Sequence, residues 1–312
     1  MVRVLVTGGC GFIGSHLAMR LSELGFEVIV FDSFARSSCV MVDGASLVKG
    51  DLRFAPMVER ALDGVDAVYH LAALTDVRES VKKPRLYHRV NVDGTLNLLE
   101  GCRSAGVRRL VYVSSCAVYG EPVRLPISED HPTNPLSPYA ASKLAAEAYC
   151  RSYAFCYGFD VTVFRLFNVY GPRQSENYAG VISRFVKRVC EGKPPIIYGS
   201  GEQSRDFIHV GDVVECLAKA IDLSGFDVFN LGSGKAVTVN ELAELVLRLS
   251  GRTELKPVRV KGRRGEIFAS VADVSKVERV LGFKAKKPLE EGIKELIEAY
   301  IYLHTLDSKR LG

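Results

Sequence analysis

The sequence predicts an α/β protein: a doubly wound parallel sheet followed by a smaller C-terminal α/β part. Three observations predict it. Apolar runs alternate with helix-period segments as far as about residue 168, the pattern of successive strand–helix–strand units. Those runs are apolar throughout, as strands buried on both faces are. A glycine-rich turn, "TGGCGFIG" (7–14), joins the first strand to the first helix.

The elements follow in order. "VRVLVTG" (2–8) reads as a strand, 12–24 as a helix and "EVIVFD" (27–32) as a strand. "SLVKGD" (46–51) and "DAVYHLAA" (66–73) read as further buried strands. A long helical pattern covers about 84–105, and "RRLVYVSS" (108–115) is a strand. Ser137 suits a helix N-cap and Pro138 its first turn, so a helix runs over 138–157. "DVTVFRLFN" (160–168) closes the series. After about 170 the pattern loosens into short strands, "PPIIYG" (194–199) and "FDVFNLG" (226–232), and helices at 238–250 and 288–304. The expected division is 1–170 for the sheet and 171–312 for a smaller part on its carboxyl edge, one compact unit with a cleft between.

The 312 residues are 47% hydrophobic and 25% charged, an ordinary globular composition. The net charge of +5 is spread along the chain. Its densest patches, "VKGRRGE" (260–266) and "KAKK" (284–287), lack interleaved aromatics, which argues against a nucleic-acid surface. The first patch suits a small anionic ligand. The chain starts directly in a strand without a signal-peptide pattern, and no apolar run reaches the ~18 residues that span a membrane. Eight cysteines form no C-x-x-C pair, so neither a metal site nor a disulfide framework is expected, and the expected compartment is the cytoplasm.

Gly8, Gly9, Gly11 and Gly14 occupy a strand–turn–helix context in which backbone can approach a pyrophosphate at the positive helix end. This is the layout of a Rossmann-type sheet. Asp32 ends the second strand, where a carboxylate can hold both ribose hydroxyls and would repel a 2′-phosphate, favouring NAD over NADP. Arg36 is close enough in sequence to leave that choice open. Asp51 is placed to reach an adenine amino group, and the small Ala72 and Ala73 would let a dinucleotide lie over their backbone. Ser114 and Ser115 end the fifth strand at the carboxyl edge, where such sheets bind ligands. In "SPYAASK" (137–143), Tyr139 and Lys143 stand four apart and share a helix face. A phenol of pKa about 10 is a poor base at neutral pH. A neighbouring ammonium favours its phenolate, so Ser115, Tyr139 and Lys143 suit proton transfer to and from an alcohol while hydride moves to or from nicotinamide.

Together, "TGGCGFIG", Asp32, "HLAA" (70–73), "NVDGT" (91–95), "SSCAVYG" (114–120) and "YAASK" resemble the extended short-chain dehydrogenase/reductase family, and "RLFNVYGP" (165–172), "GSGEQSRDFIHVGDV" (199–213), "NLGSG" (230–234) and "RRGE" (263–266) continue the resemblance in order. It is nearest the NAD-dependent members that epimerise UDP-sugars at C4. The resemblance implies that NAD lies along Gly8, Gly11, Phe12, Ile13, Gly14, Asp32, Asp51, Leu52, Leu71, Ala72, Ala73 and Asn91, with Tyr139 and Lys143 at its nicotinamide ribose. It implies that Ser115, Tyr139 and Lys143 are catalytic and that Ser115, Tyr139, Asn168, Arg205, Arg263, Glu266 and Ser270 meet a UDP-sugar. In the resembling epimerases, the Ser270 position lines the sugar pocket, where a tyrosine restricts N-acetyl sugars and a small residue admits them. The related 4,6-dehydratases carry an acidic pair where this chain has Cys116 and Ala117, which argues against dehydration. A homodimer through the helices at 84–105 and 138–157 is expected. Reactions on a uronate, by 4-epimerisation or decarboxylation, remain alternatives, as does a non-catalytic NAD sensor, which would need only the glycine end.

Overall fold

The computed structural model describes residues 1–36, 44–174, 180–262 and 267–310, with 303–310 as backbone alone. Six strands precede residue 167: β1 (Arg3–Thr7), β2 (Glu27–Asp32), β3 (Ala45–Lys49), β4 (Ala67–His70), β5 (Arg109–Ser115) and β6 (Asp160–Leu166). The later strands are β7 (Asn168–Tyr170), β8 (Ile196–Tyr198), β9 (Ser204–His209), β10 (Phe226–Leu231), β11 (Ala236–Thr238), β12 (Val258–Val260) and β13 (Ala269–Ser270). The α-helices are α1 (Phe12–Glu23), α2 (Ala55–Ala61), α3 (Val77–Lys82), α4 (Pro84–His88), α5 (Gly94–Ala105), α6 (Pro138–Tyr157), α7 (Val181–Cys190), α8 (Val210–Lys219), α9 (Val239–Leu249), α10 (Ser275–Leu281) and α11 (Leu289–Arg310).

Seven parallel strands form the main sheet in the order β10-β6-β5-β4-β1-β2-β3. The chain winds outward from β1 to β3, then back past β1 to β4, β5 and β6. The reversal opens a crevice outside the carboxyl ends of β1 and β4, where ligands of such sheets bind. Side chains alternate across the sheet. Val4, Val6, Val111 and Phe164 pack under Leu17 and Leu21 of α1 and Val213 and Leu217 of α8. Leu5, Val68, Leu110 and Val161 pack under Val58 of α2, Leu98 of α5 and Ala146 and Cys150 of α6. Each fully buried Leu or Phe contributes about 1.5–3 kcal/mol of transfer free energy, so both faces are covered by helices.

The observed elements depart from the expected ones in four places. β3 is not buried: it is the edge strand of the sheet and most of its residues are half-exposed or exposed. β4 stops at His70, and Leu71–Ala73 leave the ladder to line the crevice. The 84–105 pattern is not one uniform helix, because α4 and α5 are joined by a π turn over Arg89–Asp93. β10 returns after residue 170 to pair with β6, and α8 covers the main sheet beside α1.

The remaining C-terminal elements have their own core. Phe185 and Val189 of α7, Leu242 and Val246 of α9 and Ile293 and Ile297 of α11 pack on Ile197 of β8 and Phe207 of β9. β9 is the centre of a small sheet that pairs with β7, β11 and β13. Local sequence specifies the helix starts. Ser137 Oγ accepts from Ala140 N at 3.1 Å, and Thr238 forms a capping box with Glu241. No described helix is long and apolar enough to cross a membrane.

Candidate active site

A cleft of about 560 Å³ runs along the carboxyl ends of β1 to β6. Gly8, Gly11, Phe12, Ile13 and Gly14 line it at the start of α1. Two of these glycines are sterically required. Gly8 has φ +70°, and a Cβ there would lie 2.8 Å from the Ala72 backbone; at Gly14 it would lie 2.2 Å from the Gly8 carbonyl oxygen. Neither position has room for a side chain, and no side chain caps α1, which leaves its first amide groups bare at its positive end. Cys10, in the same turn, is disulfide-bonded, which cysteine spacing did not announce.

Asp32 also lines the cleft. Its Oδ2 accepts from Cys10 N at 3.1 Å and its Oδ1 from Phe34 N at 2.9 Å, which fixes the carboxylate at the end of β2. Asp51 and Leu52 follow β3. The Asp51 carboxylate is held by the Arg53 guanidinium, Nη2 to Oδ2 at 2.5 Å, and that contact holds its pKa below the usual range. Leu71, Ala72 and Ala73 form the floor beyond β4. A buried chain of hydrogen bonds holds them. Thr95 donates to the Asn91 carbonyl at 2.7 Å, so its hydroxyl oxygen accepts from His70 Nε2 at 2.8 Å. His70 Nδ1 then accepts from Thr7 at 2.7 Å, and Thr7 Oγ1 accepts from Ala72 N at 3.2 Å. Burial keeps His70 neutral by pushing its pKa down to about 3.

Asn91 differs from the other expected cofactor residues. It sits in the π turn, 1% exposed, with its side chain turned inward. Its Oδ1 accepts from Leu74 N at 2.8 Å, and its Nδ2 donates to Leu74 O at 3.0 Å and Ser142 Oγ at 2.9 Å. Both amide hydrogens are used, so the side chain positions the Leu74 loop and α6 rather than a ligand. π turns often mark such sites.

Ser115, Tyr139 and Lys143 face the same cleft. β5 brings the serine and the first turn of α6 brings the other two. Ser142, below Tyr139, donates to the Tyr139 carbonyl at 2.7 Å, so Asn91 and Ser142 together hold that turn. The Tyr139 phenol is pushed up to about 12 by burial, against a hydrogen bond with Ser115 that lowers it. Lys143 is pushed down to about 8 by burial, against the nearby Glu147 carboxylate that raises it. Its ammonium lies over the Tyr112 ring at 4.4 Å. Burial dominates both groups and outweighs the Ser115 hydrogen bond that lowers the phenol.

A second buried network supports the strand ends. Arg165 Nη2 donates to Glu147 Oε2 at 2.7 Å, and Ser114 Oγ donates to the same carboxylate. Arg165 Nη1 donates to Tyr119 OH at 3.0 Å, and Tyr119 donates to Asn230 Oδ1 at 2.6 Å. Of these groups only Glu147 lies outside the quoted motifs, although an arginine within the apolar run "DVTVFRLFN" signals a buried partner.

The expected substrate residues fall into two groups. Asn168, Arg205 and Ser270 come from three strands of the small sheet, with Asn168 paired to Phe207 and Ser270 to Arg205. Ser270 is 6% exposed and hydrogen-bonds the Cys116 thiol, which burial pushes up to about 11 and Arg205 draws down. The small sheet thus abuts the end of β5 next to Ser115. Asn168 Nδ2 donates to Asp206 O at 3.1 Å, and Arg205 Nη1 to Ser204 O at 2.7 Å. Arg263 and Glu266 lie outside the described residues. Arg173 and Gln174 also line the cleft and were not foreseen; Arg173 has φ +65°, a conformation costly for a residue with a side chain.

This chain belongs to the NAD dependent epimerase/dehydratase family, whose model matches residues 4–232. It is an epimerase-type enzyme of that superfamily, of Rossmann architecture with a smaller C-terminal α/β region. A putative UDP-glucose 4-epimerase of Methanocaldococcus jannaschii is 40% identical over 94% of this chain and 97% of its own length. The crystal structure of a Thermotoga maritima UDP-glucose 4-epimerase with UDP-glucose has a TM-score of 0.94 at 36% identity, covering 97% of this chain and 99% of that one. A Thermus thermophilus UDP-glucose 4-epimerase in complex with NAD gives 0.88 at 37% identity, covering 96% and 99%. Relatives named for other sugars match as well, among them a UDP-glucuronate 4-epimerase of Arabidopsis thaliana at 32% identity and a UDP-N-acetylglucosamine 4-epimerase of Methanobrevibacter ruminantium at 36%.

Proposed function

We propose that this protein interconverts UDP-glucose and UDP-galactose at C4 with NAD as a recycled cofactor, and that it also accepts the N-acetyl forms. The carrying observation is the meeting of Ser115, Tyr139 and Lys143 with the glycine turn and Asp32 in one cleft. The residues fit a dinucleotide: Gly8 and Gly14 leave no room for a Cβ, α1 offers bare amides to a pyrophosphate, and Asp32 offers carboxylate oxygens to a ribose. NAD, when bound, supplies a reversible hydride acceptor for the sugar carbon.

The chain's own groups handle the proton. A phenol near pKa 12 is protonated at neutral pH, so Tyr139 accepts the C4 hydroxyl proton only when positive charge beside it favours the phenolate. Lys143, with pKa about 8, is mostly charged at neutral pH and supplies such charge. Ser115, hydrogen-bonded to the phenol, relays the proton from the sugar oxygen to Tyr139 and back again when the carbon is re-reduced. A thiol with pKa about 11 at Cys116 and a methyl group at Ala117 offer no acid to expel water, which supports isomerisation over dehydration. Exposed apolar side chains on α6, Phe155 at 91% and Tyr157 at 46%, support the expected homodimer. The proposed compartment is the cytoplasm, which the six free cysteines among the described residues suit and the disulfide at Cys10 does not.

Tyr139→Phe tests this reading. The variant should retain bound NAD and lose at least ~10²-fold in kcat, the scale of removing a general base. Turnover within a few-fold of the parent would remove Tyr139 from the mechanism.

A further inference from the structure

The adenosine end of the cleft contains a cation next to the acid at the end of β2. Arg36 lines the cleft four residues beyond Asp32, where a guanidinium would serve a 2′-phosphate. Its fork is engaged from elsewhere in the fold. Arg36 Nη2 meets Glu79 Oε2 of α3 at 2.5 Å, and the two side chains are 27% and 23% exposed. Glu79 is itself fixed. Asp76 caps α3 by accepting from Glu79 N at 2.8 Å, Tyr87 OH donates to Glu79 Oε2 at 3.1 Å, and Lys83 Nζ donates to Oε1 at 3.1 Å.

We propose that Glu79, acting through Arg36, sets the preference of this site for NAD over NADP. A 2′-phosphate brought to this end would have to break the Arg36–Glu79 pair and stand beside two carboxylates, Asp32 and Glu79. The unphosphorylated ribose needs only Asp32 and leaves the pair intact. Glu79 is thus a positioning residue for a guanidinium that would otherwise recognise phosphate bidentately. The inference rests on the dinucleotide function proposed above.

The test is the affinity of cofactor-stripped protein for NAD and NADP by calorimetry. Glu79→Gln removes the charge, keeps one acceptor oxygen and leaves the Asp76 cap on the residue 79 backbone intact, so α3 stays anchored; Glu79→Ala is the second variant. The NADP-to-NAD affinity ratio should rise at least ~10-fold in Glu79→Gln, the scale of a hydrogen bond to a charged group. Adding Arg36→Ala should abolish that gain. A ratio within twofold of the parent in both Glu79 variants, with NAD still bound, overturns the inference alone. So does a gain that persists without Arg36. Equal weakening of both dinucleotides leaves the ratio unchanged and counts against it in the same way. A parent that binds neither dinucleotide overturns the proposed function and this inference with it.

Discussion

Lys143→Met should make the cofactor-free protein more stable at neutral pH while destroying its activity. Lys143 is 4% exposed, and burial draws its pKa from 10.5 to about 8. A shift of that size corresponds to about 3 kcal/mol against the charged form. The contact with the Tyr112 ring, lost in the variant, offsets roughly 1–2 kcal/mol of this. The net gain expected at pH 7 is therefore about 1–2 kcal/mol. The sign with pH follows from proton counting. Between about pH 8 and 10.5 the unfolded chain keeps the Lys143 proton and the folded chain has released it. Parent stability rises with pH wherever the unfolded state binds more protons. The advantage of the variant is thus full below pH 8 and fades as the pH approaches 10.5. Urea denaturation of both proteins at pH 7 and pH 10, read as the difference in unfolding free energy, measures it. A variant less stable than the parent at pH 7, or an advantage as large at pH 10 as at pH 7, refutes the reasoning.

Two other predictions concern the surroundings of the site. Arg165→Met should cost about 3–5 kcal/mol by urea denaturation, because it leaves the Glu147 carboxylate buried beside Ser114 without its cation; a loss under 1 kcal/mol would mean that water reaches the carboxylate. Ser270→Tyr should lower kcat/KM for UDP-GlcNAc at least ~10-fold more than for UDP-glucose, since Ser270 is a buried strand residue against Cys116 and overfilling a packed site costs about 1–3 kcal/mol; an unchanged ratio would remove Ser270 as a gate on the C2 substituent.

Some parts of this structure were readable locally and others were not. The glycine turn, Asp32 and the Ser137 cap depend on a few neighbouring residues, and their spacing alone identified them. The half-exposed β3 reads as apolar because "SLV" gives no sign of which strand lies at the sheet's edge. β10 looked like part of the C-terminal region because strand order is a long-range property: Phe226 finds Val161 across 65 residues. Asn91 matched a cofactor motif, but the π turn that points it inward depends on the Leu74 loop and on Ser142. Lys143 was legible as a neighbour of Tyr139 by helical spacing. Its pKa was not, because burial beneath the sheet edge outweighs the pairwise charge effect that spacing suggests. Arg165 carried a signal in its setting, a charge inside an apolar strand, while its partner Glu147 could be found only by packing α6 on β6.

The central claim is that the cleft oxidises and re-reduces the same carbon of a UDP-sugar without losing water or consuming an oxidant. Purified protein incubated with UDP-glucose, followed by NMR and mass spectrometry with no added cofactor beyond a catalytic amount of NAD, tests it directly. The account predicts a mixture of UDP-glucose and UDP-galactose of unchanged mass, with no net formation of NADH. A product lighter by one water, or NADH accumulating in step with product, would contradict it.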